Sequence, residues 1–432
     1  MAALIAAGAA LGAMAQRAET LDSLWLARDI DALRAEAAAA GKKGVPEGSL
    51  YLGRLAMTDF DFPAAQKHFG DYRRLMKRAR RTPVETIDIL EEGCREGETQ
   101  YDRLQKITVI DAVKVKRHDF FKHLRLPLSA GRVVDVSQLP LPDGKERGRT
   151  GYISESGDLM MWSEENDSTG MLNIMEASRL NDGTLGDSRE APEFLAQEGD
   201  AQYPFLSADG ATLYYAADGE NSIGGYDIFI ASRDAQTGEY MQPVNAGIPF
   251  NSSADDYMMA IDEENGVGWW ATDRHYLPDG EIVLYVYVLP ESREDIEEAE
   301  DEELRARARL DDIRVTWEEG SEEENERLAA EIRKIEPGQK PRRHDCRIPL
   351  PGGGYIFSAD DVKTSAQKDI VKRYIAMERE RESAAAELDR MRRQYAERPS
   401  DALGQKIAKG EKDVERRRNE ISALLSGLYR SL

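Results

Sequence analysis

Apolar residues recur at three- and four-residue spacing from about residue 17 to 105, among Ala, Leu, Glu, Arg and Lys, and this period predicts amphipathic helices. From Ile107 the period changes. Ile107 to Val115 alternates and is β-branched, which predicts a strand, and strand signals continue to Pro290. Residues 291 to 308 are a run of Glu, Asp and Arg that reads as an exposed helix or linker. From about 360 the helical period returns as two thin apolar stripes. Ile370, Tyr374, Met377, Leu388, Met391 and Tyr395 make the first; Ile407, Val414, Ile421, Leu424, Leu425 and Leu428 make the second. Arg398-Pro-Ser-Asp401 separates them, with Ser400 or Asp401 able to cap the second helix. Such stripes suit an antiparallel helical hairpin or coiled coil, and leave self-packing and partner binding equally open.

The β region repeats itself. Asp227-Ile-Phe-Ile-Ala-Ser-Arg233 has a counterpart in Asn173-Ile-Met-Glu-Ala-Ser-Arg179. Tyr203-Pro-Phe-Leu-Ser-Ala-Asp209-Gly210, running on to Tyr214 and Tyr215, precedes the first; Tyr152-Ile-Ser-Glu-Ser-Gly157, running on to Trp162, precedes the second. A third, divergent copy begins at Asp256, turns at Asn265-Gly266, passes through Trp269 and Trp270, and ends in Ile282 to Val288. A self-similar all-β period of this size predicts a propeller or related array.

These units resemble the TolB-type, WD-like propeller repeat. Asp209, Gly210, Tyr214, Tyr215, Asp227 and Phe229 carry the motif in the best copy. Gly157, Trp162 and Asn173 carry it in the first, and Gly266, Trp269 and Trp270 in the third. Upstream, Gly53, Ala65 and Phe69, with the Asp59-Phe60-Asp61-Phe62-Pro63 break, resemble one tetratricopeptide helix-turn-helix repeat. The combination resembles envelope proteins of Bacteroidetes-type bacteria. It implies a multidomain α and β fold: helical tetratricopeptide-like segment at 16–106, all-β propeller repeats at 107–295, and a helical hairpin or coiled coil at 366–432. Residues 296–365 are expected to be an acidic linker and mixed segment. Segments 107–147 and 309–357, including Ile313 to Trp317 and Gly354 to Phe357, are the candidates for further blades.

Export is expected from the apolar run Leu4 to Met14, which ends in Ala13-Met14-Ala15, a small-residue cleavage pattern, so 1–15 reads as a signal peptide although no Lys or Arg precedes it. Charge narrows the partners. With 58 Lys and Arg against 81 Asp and Glu, a net charge of -23 argues against nucleic acid. The basic runs at Lys77 to Arg81 and Arg416 to Arg418 read as solvated helix faces. Two cysteines, Cys94 and Cys346, are too few for a disulfide framework.

Chemistry is sparse. There is no Gly-x-Ser-x-Gly, His-Glu-x-x-His, phosphate loop or Cys-x-x-Cys. The histidines are His68, His118, His123, His275 and His344; the pair His118 and His123 falls short of the three or four ligands of a zinc site. His344-Asp345-Cys346 reads as a polar loop. The acidic loop Asp218 to Asp227 offers oxygens that suit calcium; otherwise no cofactor is expected. The expectation is a non-enzymatic, exported scaffold that binds other envelope proteins and has no transmembrane segment. The alternatives are a propeller hydrolase or lyase acting on carbohydrate, with Asp255, Asp256, Asp262 and Asp273 as its carboxylates, or a ligand-sensing domain.

Overall fold

The computed structural model describes residues 18–180, 184–196, 198–234, 237–290, 292–338, 346, 348–349, 355–356, 358–359, 361–397 and 400–430. The expected signal peptide and its cleavage point lie outside these residues. The chain divides into two compact units, Met1–Lys340 and Pro341–Leu432.

The first unit opens with five helices: α1 (18–26), α2 (Ile30–Lys42), α3 (Pro46–Thr58), α4 (Phe62–Ala79) and α5 (Ile87–Tyr101). From α2 onward each packs on the next. Local chemistry sets their starts. Asp29 caps α2 through Ala32 N, Asp61 caps α4 through Ala64 N, and Pro46 and Pro63 occupy first turns. Small residues let the helices close up. Gly53 faces the Phe69 ring and Gly97 faces the Phe62 ring, each so tightly that a Cβ would overlap it. Burying Phe62 and Phe69 contributes about 1.5–3 kcal/mol each. Gly93 of α5 lies against the carbonyl of Ile223, so Ile223 and Ile248 share the core of α3, α4 and α5.

Three antiparallel sheets follow. The first contains β2 (Arg132–Asp135), β3 (Arg147–Ile153), β4 (Leu159–Glu165), β5 (Leu172–Ser178) and β6 (Arg189–Glu190) in sequence order. The second is β7 (Ala201–Leu206), β8 (Thr212–Ala217), β9 (Asp227–Ser232) and β10 (Val244–Asn245). The third takes β11 (Asp256–Asp262), β12 (Val267–Thr272) and β13 (Glu281–Val288), then β1 (Thr108–Lys116) as its outer strand. β1 pairs with β13 from Thr108 opposite Val288 to Lys116 opposite Glu281. The strand that precedes the first sheet therefore completes the last one. β7 lies against β3, β4 and β5, and β11 lies against β7, β8 and β9. The hairpins β3–β4, β7–β8 and β11–β12 turn on Gly157, Gly210 and Gly266, with φ of 75°, 68° and 68°.

Two expected blade segments differ in the structure. Residues 301–332 hold α6 (Asp301–Arg309) and α7 (Glu322–Ile332), and Ile313–Thr316 is a 3-10 turn rather than a strand. The reason is the open edge of β1. Thr316 Oγ1 accepts from Val109 N at 2.9 Å, the Trp317 indole donates to Val109 O at 2.6 Å, and Arg333 holds Asp111 at 2.5 and 2.7 Å. Side chains between Thr316 and Arg333 thus cover this sheet edge at Val109 and Asp111.

The second unit contains the remaining segment. Among the described residues Tyr355–Ile356 (β15) pairs with Ile348–Pro349 (β14), in the unit that also holds the long helices α8 (Ser365–Glu397) and α9 (Asp401–Tyr429). Gly354 and Phe357 lie outside the described residues. Ile348, Ile356, Val362, Val371, Tyr374, Ile421 and Leu428 form this unit's core, and Ser400 caps α9 through Leu403 N. Among the described residues no helix is long and apolar enough to cross a membrane. Neither Cys94 nor Cys346 is in a disulfide.

Candidate functional site

Polar side chains converge where β7 and β11 begin. A bulge in β7 between Gln202 and Phe205 places Tyr203 at φ 57°, an unusual backbone for a residue of that bulk. Its ring then meets Tyr226 at 6.2 Å, Tyr257 at 5.7 Å and Phe120 at 5.9 Å. Asp255, just before β11, accepts from Tyr226 N at 3.2 Å and from the Tyr257 hydroxyl at 3.1 Å. Asp273 stands 3.5 Å from that hydroxyl and is clamped by Arg28 at 2.5 and 2.6 Å. Arg28 comes from the α1–α2 turn at φ 59°. Arg117, just past β1, donates to the Tyr257 oxygen at 3.4 Å.

The flank nearer the first sheet is acidic. Asp200 accepts from Leu172 N at 2.7 Å and from the Tyr226 hydroxyl at 3.3 Å, while Gln202 Nε2 donates to that hydroxyl at 2.6 Å. Asp218 Oδ1 accepts from Asp200 N at 2.7 Å. Burial, and after it the Asp200 carboxylate, push the Asp218 carboxyl upward. Burial, with Asp255 adding to it, pushes the Tyr203 phenol up to about 12. Tyr226 and Tyr257 shift upward for the same primary reason.

The four carboxylates nominated from the sequence for glycoside chemistry do not form one set. Asp255 and Asp273 meet at Tyr257. Asp256 lies behind them, fully buried, on Arg274 at 3.0 Å and on Ser252 N and Oγ at 2.7 and 2.8 Å. Asp262 lies at the far end of β11, holding the Asn265 turn. Asp227 points inward from the proposed calcium loop and accepts from Ile223 N at 2.9 Å and Asn245 Nδ2 at 2.8 Å. Burial, then Asp256, push its carboxyl well above the usual range. Among the described residues no group of three or more His, Cys, Asp or Glu is placed to hold a metal ion.

The repeat-motif residues occupy matching places. Asp209 caps its turn through Ala211 N at 2.8 Å, and Asn173 and Asp227 lie in β5 and β9, the third strands counted from β3 and β7. Trp162, Tyr215, Phe229, Trp269 and Trp270 are buried and Tyr214 is half-buried, which places them among core side chains. In the helices, Ala65 and Phe69 are fully buried beside Gly53. Of the His344-Asp345-Cys346 set, the first two lie outside the described residues. Motif inspection passed over Arg28, Arg117, Asp200, Gln202, Tyr226 and Tyr257. The available signal was a tyrosine near the start of the first strand in the second and third repeats, at Tyr203 and Tyr257. Comparison with protein-family models, curated proteins and solved structures finds no match.

Proposed function

We propose that this chain is a non-enzymatic scaffold of the bacterial cell envelope, which binds other proteins through its three-sheet body and its helices. What carries the reading is the employment of the buried carboxylates. Asp256 is tied to Arg274, Asp273 to Arg28, Asp262 to Asn265 and Asp227 to backbone amides, each as a structural ion pair or cap. General acid–base work needs carboxyls that face a substrate and change protonation there. At the tyrosine cluster, Arg117, Asp218 and Arg149, whose Nε donates to His118 O, are exposed next to half-buried Tyr203 and Tyr226. A propeller-type arrangement of the sheets belongs to the same reading, supported by the strand-on-sheet packing and the late closure by β1. Envelope location rests on the Leu4 to Ala15 pattern.

Affinity capture from an envelope fraction tests this. The full chain is expected to retain a protein partner that an Arg117→Ala/Arg149→Ala variant loses. Turnover of a glycan or peptide that disappears in Asp255→Asn would replace the scaffold by an enzyme.

A further inference from the structure

The side-chain cover on β1 serves only the first half of the strand. Thr316, Trp317 and Arg333 hold Val109 and Asp111, and beyond them β1 is the last strand of its sheet, with no other beside it among the described residues. The direction of each backbone group follows from its neighbours. Val109 N points outward to Thr316 Oγ1, and Ala112 N donates to the Asp111 side chain at 2.9 Å, the bulge between Val109 and Asp111 supplying the odd residue. Arg117 N turns inward to Gly280 O. Backbone groups alternate along a strand, so Lys114 and Lys116 face outward with Ala112. Asp119 N occupies Lys116 O. The carbonyls of Ala112 and Lys114 and the amides of Lys114 and Lys116 therefore form a short open ladder, and Ala112, Val113 and Lys114 are exposed.

A groove of about 460 Å³ opens where the cover ends. Ile110, Ala112, Ile313 and Trp317 give it apolar walls, and Arg314 and Arg333 give it charge. Arg333 spends Nε and Nη2 on Asp111, which leaves Nη1. Arg314 lies 5.9 Å over the Trp317 ring and 4.0 Å from Glu326. Along the strand, Lys116 reaches Glu281 at 3.2 Å, and Lys114 has no carboxylate within ion-pair distance among the described residues. In a chain with 81 Asp and Glu against 58 Lys and Arg, this edge is basic. Lysines here work against a second copy of the same strand, which would set like charges side by side. They favour an acidic strand.

We propose that an extended acidic segment of a partner protein adds as a further strand to β1 along residues 112–116, with one end in the groove beside Trp317. Strand alternation sets its pattern: acidic residues beside Lys114 and Lys116 on one face, an apolar residue beside Val113 on the other. The inference rests on the scaffold reading and names the shape and charge of what the scaffold holds.

The test is fluorescence anisotropy of a labelled Thr-Val-Glu-Val-Glu-Val-Thr amide with the full chain at physiological salt. Wild type is expected to bind it saturably and to ignore the same peptide with Lys in place of Glu. N-methylation of every peptide bond keeps the charges and removes the backbone donors, and is expected to cost about tenfold in affinity, the scale of one or two hydrogen bonds. Lys114→Glu is expected to reverse the preference between the two peptides. Lys114→Pro removes an amide that faces away from β13, so it is expected to melt as wild type does and to bind about tenfold more weakly. Should that variant melt lower, Lys114→Glu and the methylated peptide carry the comparison. Equal binding of methylated and unmethylated peptides would mean charge attraction without a strand and overturn the proposal. So would a peptide-free dimer that Lys114→Pro dissolves, which would place a second copy on the edge. A chain that captures envelope proteins yet ignores the peptide refutes this inference and leaves the scaffold reading standing.

Discussion

Asp262, buried at the end of β11, and His275, half-buried in the loop between β12 and β13, respond to pH in opposite senses. Burial raises the Asp262 carboxyl from 3.8 to about 6, with the Asn265 hydrogen bonds opposing it. The folded state then holds this proton more tightly than the unfolded chain, so stability falls as pH rises from about 4 to about 6. Burial lowers His275 from 6.5 to about 4, with Arg274 acting in the same direction. Its contribution is complete above 6.5 and is lost as pH falls toward 4. His275 Nε2 lies 2.6 Å from the Tyr285 hydroxyl, which donates to Leu310 O, so the ring sits inside a joint between sheet and helix. Each shift corresponds to about 3 kcal/mol, and across the shared window they offset one another. Asp262→Asn is expected to gain stability at pH 7 relative to pH 4, and His275→Gln to lose the destabilisation on acidification. Thermal melts of the single variants at pH 4 and 7 measure both; parallel profiles for wild type and variants would refute the assignment.

At the scale of elements, the decisive joint is the outer edge of β1. Thr316, Trp317 and Arg333 satisfy it with side chains where a further strand would use backbone. Arg333→Ala removes the half-exposed cation that holds buried Asp111, and is expected to cost about 1.5–3 kcal/mol. Hydrogen exchange should show β1 and α7 opening together in that variant, with β7 to β9 protected as before. Hairpin turns were legible in the sequence because Gly157, Gly210 and Gly266 need positive φ at equivalent points. The starts of α4 and α9 were legible because Asp61, Pro63 and Ser400 act within one turn of chain. The role of 301–333 was not. Its helices are acidic and weakly apolar, and their worth comes from an edge that belongs to residue 109. The tyrosine cluster was hidden for the same reason: Tyr203, Tyr226 and Tyr257 meet only after two sheets have packed.

For the whole molecule, the two units own separate cores, one at Ile348, Val371 and Leu428, the others within residues 18–338. Removing 341–432 is therefore expected to leave the melting temperature of the first unit unchanged while weakening partner capture from an envelope fraction. A truncated chain that fails to fold would show that the division is not one of stability. The pairing of β1 with β13 also orders events in time. β1 is made before either of the first two sheets and must wait for the third, so its partner arrives only after the intervening strands exist. Contacts this distant along the chain slow folding, and a nascent or unfolding chain would expose β1 first as an unpaired strand. A chaperone or a second chain that caught this strand would hold the molecule open at one sheet, with the other two already formed.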